Sequence, residues 1–493
     1  MNGAADLLGF QARYQADKVV AIDLASERQW TYAELDLICG RCATALKKNG
    51  VMQGDRIVCL AKNRVELIAL HFACARVGAI YVPLNWRLTA TEINSLIEDA
   101  EPKLIIGDEL LENTGIDGMN LQTFLNQAAA LEALLYTLID SDLPSLILYT
   151  SGTSGRPKGA LLSENNLAET AINFGMVGRV QNHSVVMSDA PMFHIIGLIT
   201  AVRPAIYQGA TFIVSDGFDP ARTLSRLADP ELSVTHYFCV PVMADLIKAE
   251  PTYSPEKLKG LTALFTGGAP YAEAKIQDWV ADGVPVANGF GMSEAGTVFG
   301  MPVDIDLIAA RPGSVGITTS RVKARIANTD GVPCPTGESG ELQLKGPNVA
   351  AGYWRRPEDS AKAFTDDGWF CTGDVALCDE EGYFWIVDRL KDMYISGGEN
   401  VYPGEIEALL AHNPAIKECA VIGRPDEKWG EVGHLFVVAA KPENKIDLDD
   451  LIKSLDGKLA RFKIPKHVSL IDALPRNANG KIVKSALTDQ INK

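Results

Sequence analysis

The chain has 493 residues, 47% hydrophobic and 22% charged, a balance ordinary for a soluble globular protein. That length argues for about three domains and for a core that needs no disulfide or metal staple. The 46 Lys and Arg against 62 Asp and Glu leave a formal net charge of −16, which argues against nucleic-acid and anionic-membrane partners, because both call for a basic face.

Residues 1–10 lack the basic start and apolar core of a signal peptide. The most apolar stretch, 67–84, carries His71 and Arg76 and reads as a core helix running into a strand, with no integral membrane contact. Cys39 and Cys42 form a C-x-x-C inside a helical apolar pattern, so packing is expected of them rather than metal or redox work. The nine cysteines form no disulfide framework, and together with the missing export signal they point to a cytoplasmic protein.

From about residue 56 to 292, apolar runs (56–60, 103–106, 145–148, 211–214, 234–240, 261–265) alternate with helical patterns (219–227, 242–249, 272–280). Strands that alternate with helices predict an α/β fold of layered, mostly parallel sheets. Ligands then bind in loops past the carboxyl ends of strands. Glycine and proline become dense after residue 310, and residues 311–388 read as a small β-rich subdomain with a hairpin turn at Asp379-Glu380-Glu381-Gly382. Beyond it lies an α+β pattern: helix 404–411, strands 419–422 and 435–439, helix 448–459 and strand 468–471. The expected organisation is a large domain over 1–388, a linking segment at 389–391 and a small domain over 392–493.

The strongest chemical signal directly follows the run 145–148: Tyr149-Thr150-Ser151-Gly152-Thr153-Ser154-Gly155-Arg156-Pro157-Lys158-Gly159. Its glycines allow a tight turn with inward N–H groups, and Thr150, Ser151, Thr153 and Ser154 add hydroxyls. Lys158 adds a positive charge, so the loop suits a triphosphate. It is not a P-loop, because Gly155 is followed by Arg156, and at Gly480-Lys481 the residue five before the glycine is Pro475. Nor is 289–294 a Rossmann fingerprint, since Glu294 stands where the third glycine belongs.

The loop resembles the signature of adenylate-forming enzymes, the superfamily of acyl-CoA synthetases, adenylation domains and luciferases. The resemblance covers nearly the whole chain, because further motifs occur in order. They are Met192-Phe193-His194-Ile195-Ile196-Gly197, Gly267-Gly268-Ala269-Pro270 and Asn288-Gly289-Phe290-Gly291-Met292-Ser293-Glu294. Gly352-Tyr353-Trp354, Thr372-Gly373-Asp374 and Asp388-Arg389-Leu390-Lys391-Asp392 follow. Ser396-Gly397-Gly398-Glu399-Asn400 and Asn479-Gly480-Lys481 complete the series.

Such enzymes solve a chemical problem. A carboxylate is a poor electrophile, and transfer of AMP from ATP gives it a leaving group. The work is mainly positioning and charge neutralisation. The resemblance implies that the loop from Thr150 to Lys158 holds the β- and γ-phosphates and that Glu294 ligates Mg²⁺, a hard cation that prefers oxygen. It places adenine against Phe290, with Asn288 at its polar edge and Gly268, Ala269, Pro270, Gly289, Gly291 and Met292 around the nucleotide. The family usually has Tyr and Thr where this chain has Phe290 and Ser293, and Ser293 keeps the hydroxyl for the α-phosphate. Asp374 is assigned to the ribose hydroxyls, and Arg389 to ribose or phosphate. Lys481 is assigned to the acid carboxylate and the α-phosphate as charge develops.

His194, with Phe193, borders and gates the acyl site in this family. The neighbours Phe193, Ile195 and Ile196 offer no anion for an amino-acid substrate. Phe193, Ile196, Tyr237, Phe238, Val240, Gly267 and Gly291 are the expected acyl pocket, which suits a hydrophobic acid, fatty or aromatic. The family turns its small domain about one hinge residue, here Lys391, after adenylation. Ser396, Gly397 and Gly398 then leave a slot for pantetheine. Lys463 and Lys466 are candidates for the coenzyme A phosphates, and Trp429 either stacks on its adenine or packs between domains. The implied protein is an ATP-dependent acid–CoA ligase, compatible with a homodimer. The alternatives are an adenylating enzyme that loads a carrier protein, a kinase that releases ADP, and an inactive nucleotide-binding protein.

Overall fold

The apolar stretch 67–84 forms the helix Val65–Val77 and the strand Ile80–Pro83. Gly78 ends the helix at φ 72°, a left-handed conformation glycine adopts without a Cβ penalty. The computed structural model describes residues 6–134, 139–150, 157–396, 399–441, 447–456, 458–476 and 481–491. The chain divides into two compact units. One is Met1–Tyr271, Lys275–Lys323 and Leu344–Phe370; the other is Ala272–Ala274, Ala324–Gln343 and Cys371–Lys493.

The first unit holds two sheets. In the larger, the strands run in the order Ile317–Thr318, Gly296–Gly300, Val286–Met292, Ala263–Thr266, His236–Cys239, Val185–Ser188, Thr211–Val214, Val19–Asp23 and Arg28–Thr31. The six strands from Val286–Met292 to Val19–Asp23 pair in parallel, and antiparallel strands close both edges. The second sheet is ordered Met119–Asn120, Leu104–Gly107, Arg56–Leu60, Ile80–Pro83, Pro144–Thr150 and Lys158–Ser163. It is parallel except for its last pair, an antiparallel hairpin in which Thr150 faces Lys158. The expected phosphate loop therefore joins two strands of one hairpin, and Lys158 opens the return strand. Cys39 and Cys42 lie buried on the helix Tyr32–Lys48, where burial pushes the Cys42 thiol up to about 12. Among the described residues no helix is long and apolar enough to cross a membrane.

The second unit takes in more than residues 392–493. Its four-stranded sheet, Lys323–Ala327, Gly340–Lys345, Phe370–Cys378 and Phe384–Arg389, is the expected β-rich region. This sheet goes with the carboxy-terminal residues because its last strand supports the helix Pro403–Leu410. Asp388 Oδ2 accepts the Gly404 N–H at 2.6 Å, and a Cβ on Gly404 would collide with the Val387 carbonyl. A second sheet orders Glu399–Val401, Tyr394–Ser396, Gly430–Ala439 and Ile416–Asp426, with His467–Leu470 parallel to Gly430–Ala439. The helix expected over 448–459 stops at Lys453. Leu451, Leu455 and Leu459 still share one core, so apolar spacing outlasts the helix.

Candidate active site

Thr150 and Lys158 close the hairpin, where the Thr150 hydroxyl donates to the Lys158 carbonyl at 3.2 Å. Ser151, Gly152, Thr153, Ser154 and Gly155 lie outside the described residues. Gly352-Tyr353-Trp354 pairs antiparallel alongside the return strand: Leu161 N–H donates to Gly352 O at 3.0 Å and Trp354 N–H to Gly159 O at 2.8 Å. Gly159 is glycine because a Cβ would stand 2.6 Å from Ile147 Cγ2. This pairing brings the Tyr353 ring under Lys158, with the ammonium 5.3 Å from the ring centroid. The Tyr353 hydroxyl donates to Glu294 Oε1 at 3.1 Å. Lys158 Nζ also reaches Asp359 Oδ1 at 2.6 Å. A cation, a phenol and a buried carboxylate are thus gathered at the Lys158 end of the return strand.

Glu294 follows the strand Val286–Met292, and its backbone carbonyl accepts the Ala350 N–H at 2.7 Å. A narrow cavity of about 50 Å³ opens among the strand ends. Ile196, Phe238, Gly267, Gly268, Asn288, Gly289, Phe290 and Gly291 line it, all of them expected near acid or nucleotide. Gly268, Ala269 and Pro270 form an exposed turn after the strand Ala263–Thr266, and Met292 and Ser293 are half-buried. The Asn288 amide is occupied by protein groups: it accepts from Thr266 Oγ1 and donates to the Ser314 carbonyl, each at 3.3 Å. Val240 approaches Gly268 from the side.

Tyr237, expected at the pocket, is elsewhere. Side chains alternate along a strand, so Tyr237 points away from the face of Phe238 and donates to Asp189 Oδ2 at 2.7 Å. That buried carboxylate also accepts from Thr223 and Ser215. It anchors the turn that leads to Phe193 and His194. Asn63 holds the same turn, donating to Ala190 O at 3.0 Å and accepting from Met192 N at 2.8 Å. His194 and Phe193 are half-buried, and Phe193 meets the Trp86 ring edge-on. The π-helix Ile196–Thr200 then turns Ile196 and Thr200 into the cavity. Gly197 permits this, since a Cβ there would collide with the carbonyls of Ala190 and Pro191.

Several lining residues had no expected role: Phe174, Val177, Thr200, Phe265, Thr297 and Phe299. Phe174 and Val177 come from the helix Glu164–Val177, and Val177 packs so closely on Gly300 that a Cβ there would be 2.7 Å away. His236 stacks on Phe265 at 5.7 Å and 2°, and burial lowers its pKa. The signal available beforehand was glycine at both ends of the strand Gly296–Gly300.

In the second unit, Asp374 and Arg389 face each other across an antiparallel pair, with Arg389 Nε 2.6 Å from Asp374 Oδ1. Gly373 turns at φ 69°, and the Thr372 hydroxyl accepts the Asp374 N–H. Lys391 is exposed in the 3₁₀ turn Leu390–Asp392. Ser396 is buried on a strand, and Gly397 and Gly398 lie outside the described residues. Trp429 sits at the tip between the strands Ile416–Asp426 and Gly430–Ala439, with Lys466 Nζ 5.3 Å and Lys428 Nζ 5.5 Å from its ring. Lys463 is held by Glu405 at 2.7 Å. Lys481 is exposed just ahead of the helix Lys484–Ile491.

Residues 9–354 match the family model of the AMP-binding enzymes, and residues 405–481 match the model of the AMP-binding enzyme C-terminal domain. The chain is 38% identical over 458 residues to a feruloyl-CoA synthase of an Amycolatopsis species, covering 92% of each. It is 35% identical over 478 residues to indoleacetate–CoA ligase of Aromatoleum aromaticum, covering 93% of this chain and 92% of the relative. It is 34% identical over 485 residues to the long-chain-fatty-acid–CoA ligase FadD13 of Mycobacterium tuberculosis, covering 95% and 94%. Among solved structures it is similar to ATP-bound MatB from Rhodopseudomonas palustris, with a TM-score of 0.92, 33% identity and 100% and 99% coverage. The chain belongs to the AMP-binding enzyme family. Within that family it is an AMP-forming acyl-CoA synthetase, an ATP-dependent ligase that joins a carboxylic acid to coenzyme A through an acyl-AMP.

Proposed function

We propose that this ligase activates an aromatic acid and holds its ring at the cavity among the strand ends, which has to widen from about 50 Å³ to admit it. The observation that carries the reading is the lining: Phe174, Phe238, Phe265 and Phe299 surround a narrow slot, with Thr200, Thr266 and Thr297 as its polar exceptions; Phe290 and Asn288, assigned to adenine, share the same lining. Aromatic walls favour a flat ring through offset and edge-on contacts. The feruloyl and indoleacetate relatives support the same reading.

Lys158, Thr150 and the loop between them take the β- and γ-phosphates. Glu294 takes the Mg²⁺ that accompanies ATP. One buried carboxylate, Glu294, suits that ion, since Mg²⁺ is commonly held by one or two carboxylates plus phosphates and water. The ion would neutralise phosphate charge there. Asp374 and Arg389 take ribose, and Lys481 serves the adenylation half-reaction. Lys391 is the hinge, while Ser396, Trp429, Lys463 and Lys466 serve coenzyme A in the second half-reaction. A phosphate reaching Lys463 has to displace Glu405.

The test is a panel of benzoates, cinnamates, arylacetates and unbranched fatty acids, assayed for CoA-dependent AMP release. The aryl acids are expected to give the highest kcat/KM. A maximum at a fatty acid overturns the assignment and favours the second reading, which the fatty-acid ligase among the relatives supports.

A further inference from the structure

The helix Lys484–Ile491 starts three residues after Lys481. Its first residue, Lys484, has only 16% of its side chain exposed, and its ammonium stands 2.8 Å from Glu407 Oε1 on the helix Pro403–Leu410. The same oxygen accepts the Val421 N–H at 2.7 Å, which ties it to the strand Ile416–Asp426. Burial pushes the Glu407 and Asp388 carboxyls up, and Lys484 opposes that in both. Burial by itself lowers a lysine's pKa; here Glu407, Asp388 and Asp392 outweigh it, and the Lys484 pKa is raised. Asp388 and Asp392 flank Lys391 in the sequence.

Described residues on either side of Lys481 are also tied to each other. Arg476 pairs with Glu418 at 2.9 Å and bridges to Ile482, and Val483 N–H donates to Pro475 O at 2.8 Å. A cation at the first position of a helix opposes the helix dipole, and ordering a long side chain costs rotamer entropy. Helix stability alone therefore gives no reason for a lysine at 484. Its location does: it anchors the backbone that carries Lys481.

We propose that Lys484, held by Glu407, is a positioning residue for Lys481 and serves the adenylation half-reaction selectively. The inference rests on the assignment of Lys481 to that half-reaction. The test uses the full-length enzyme in two assays, acid-dependent pyrophosphate exchange and thioester formation from supplied acyl-AMP and coenzyme A. Lys484→Met is expected to lower kcat for exchange about 10-fold or more, as a small misplacement of a catalytic group does. The KM for ATP and the thioester rate are expected to stay within about 2-fold of the parent. Lys484→Arg is expected to retain exchange, and the near-isosteric Glu407→Gln to follow Lys484→Met. An equal fall in both assays, or unchanged exchange, overturns the proposal; should Lys484→Met not fold, Glu407→Gln decides by the same outcomes. Lys481→Ala is the control. If it leaves exchange intact, the underlying assignment fails and the proposal with it; if it loses exchange while Lys484→Met and Glu407→Gln do not, only the positioning role fails.

Discussion

Lys158 Nζ lies 2.6 Å from Asp359 Oδ1, so the cation assigned to phosphate is held by a carboxylate of its own unit. Lys158 draws the Asp359 pKa down, while burial opposes this weakly. The pair is part-exposed, with side chains 20% and 37% accessible, so its strength is limited by solvent screening. ATP has to compete with Asp359 for the ammonium. Asp359→Asn is expected to lower the KM for ATP by up to about 5-fold at low ionic strength, an exposed pair being worth at most about 1 kcal/mol. Lys158→Ala is expected to raise it. A KM for ATP that is unchanged or higher in Asp359→Asn would show that the two anions do not compete.

Tyr353 joins Lys158 to Glu294 through its ring face and its hydroxyl. Tyr353→Phe keeps the ring and removes the donor from a buried carboxylate. A hydrogen bond to a charged group is worth about 1.5–3 kcal/mol. The Mg²⁺ concentration for half-maximal AMP release is expected to rise by about 10-fold, the low end of that scale, because Glu294 loses a hydrogen bond that helps to orient it. The KM for the acid is expected to stay put. A Mg²⁺ titration that overlays the parent curve would leave Tyr353 with strand packing alone.

Val177 lines the cavity and packs against Gly300. Val177→Ala removes two methyl groups from the lining and enlarges the slot. The kcat/KM ratio of a bulkier ring-substituted acid to its unsubstituted parent is expected to rise by about 10-fold, the low end of what small changes in apolar pocket volume achieve. Relative kcat/KM values in a competition assay measure this directly. A ratio that does not move places the ring elsewhere.

Motifs that follow a strand end were readable because glycine, aromatic and carboxylate positions there are local. The segment 288–294 lies along and just beyond the strand Val286–Met292, and Thr372-Gly373-Asp374 sits in a strand pair where Gly373 turns at φ 69°. Partners distant in the chain left no such trace. Lys158 and Asp359 are 201 residues apart, and no periodicity reports a contact of that range. Tyr237 was misplaced for a different reason: its type suits a pocket, but the alternation of the strand assigns it to Asp189. Val177 and Phe174 were missed because the helix that carries them reaches the pocket only through tertiary packing.

His434 is expected to make the second unit acid-sensitive. The residue is 6% exposed, and its ring stacks on Phe436 at 4.5 Å and shares a hydrogen bond of 2.8 Å with Ser469 Oγ. Burial first, and then the positive charges of His467 and Arg424, hold its pKa down at about 4. In the unfolded chain it titrates near 6.5. Between those values the unfolded state binds a proton that the folded state refuses, so stability rises with pH there. The contribution is complete above about pH 6.5 and is lost as the pH falls toward 4. At pH 5 the loss comes to about 2 kcal/mol at most, from roughly 1.5 pH units at 1.36 kcal/mol each. His434→Gln removes the titration and keeps a polar group for Ser469. Full-length thermal melts at pH 7 and pH 5 are expected to show a smaller drop for His434→Gln than for the parent, and parallel drops in the two proteins would assign the acid sensitivity to other groups.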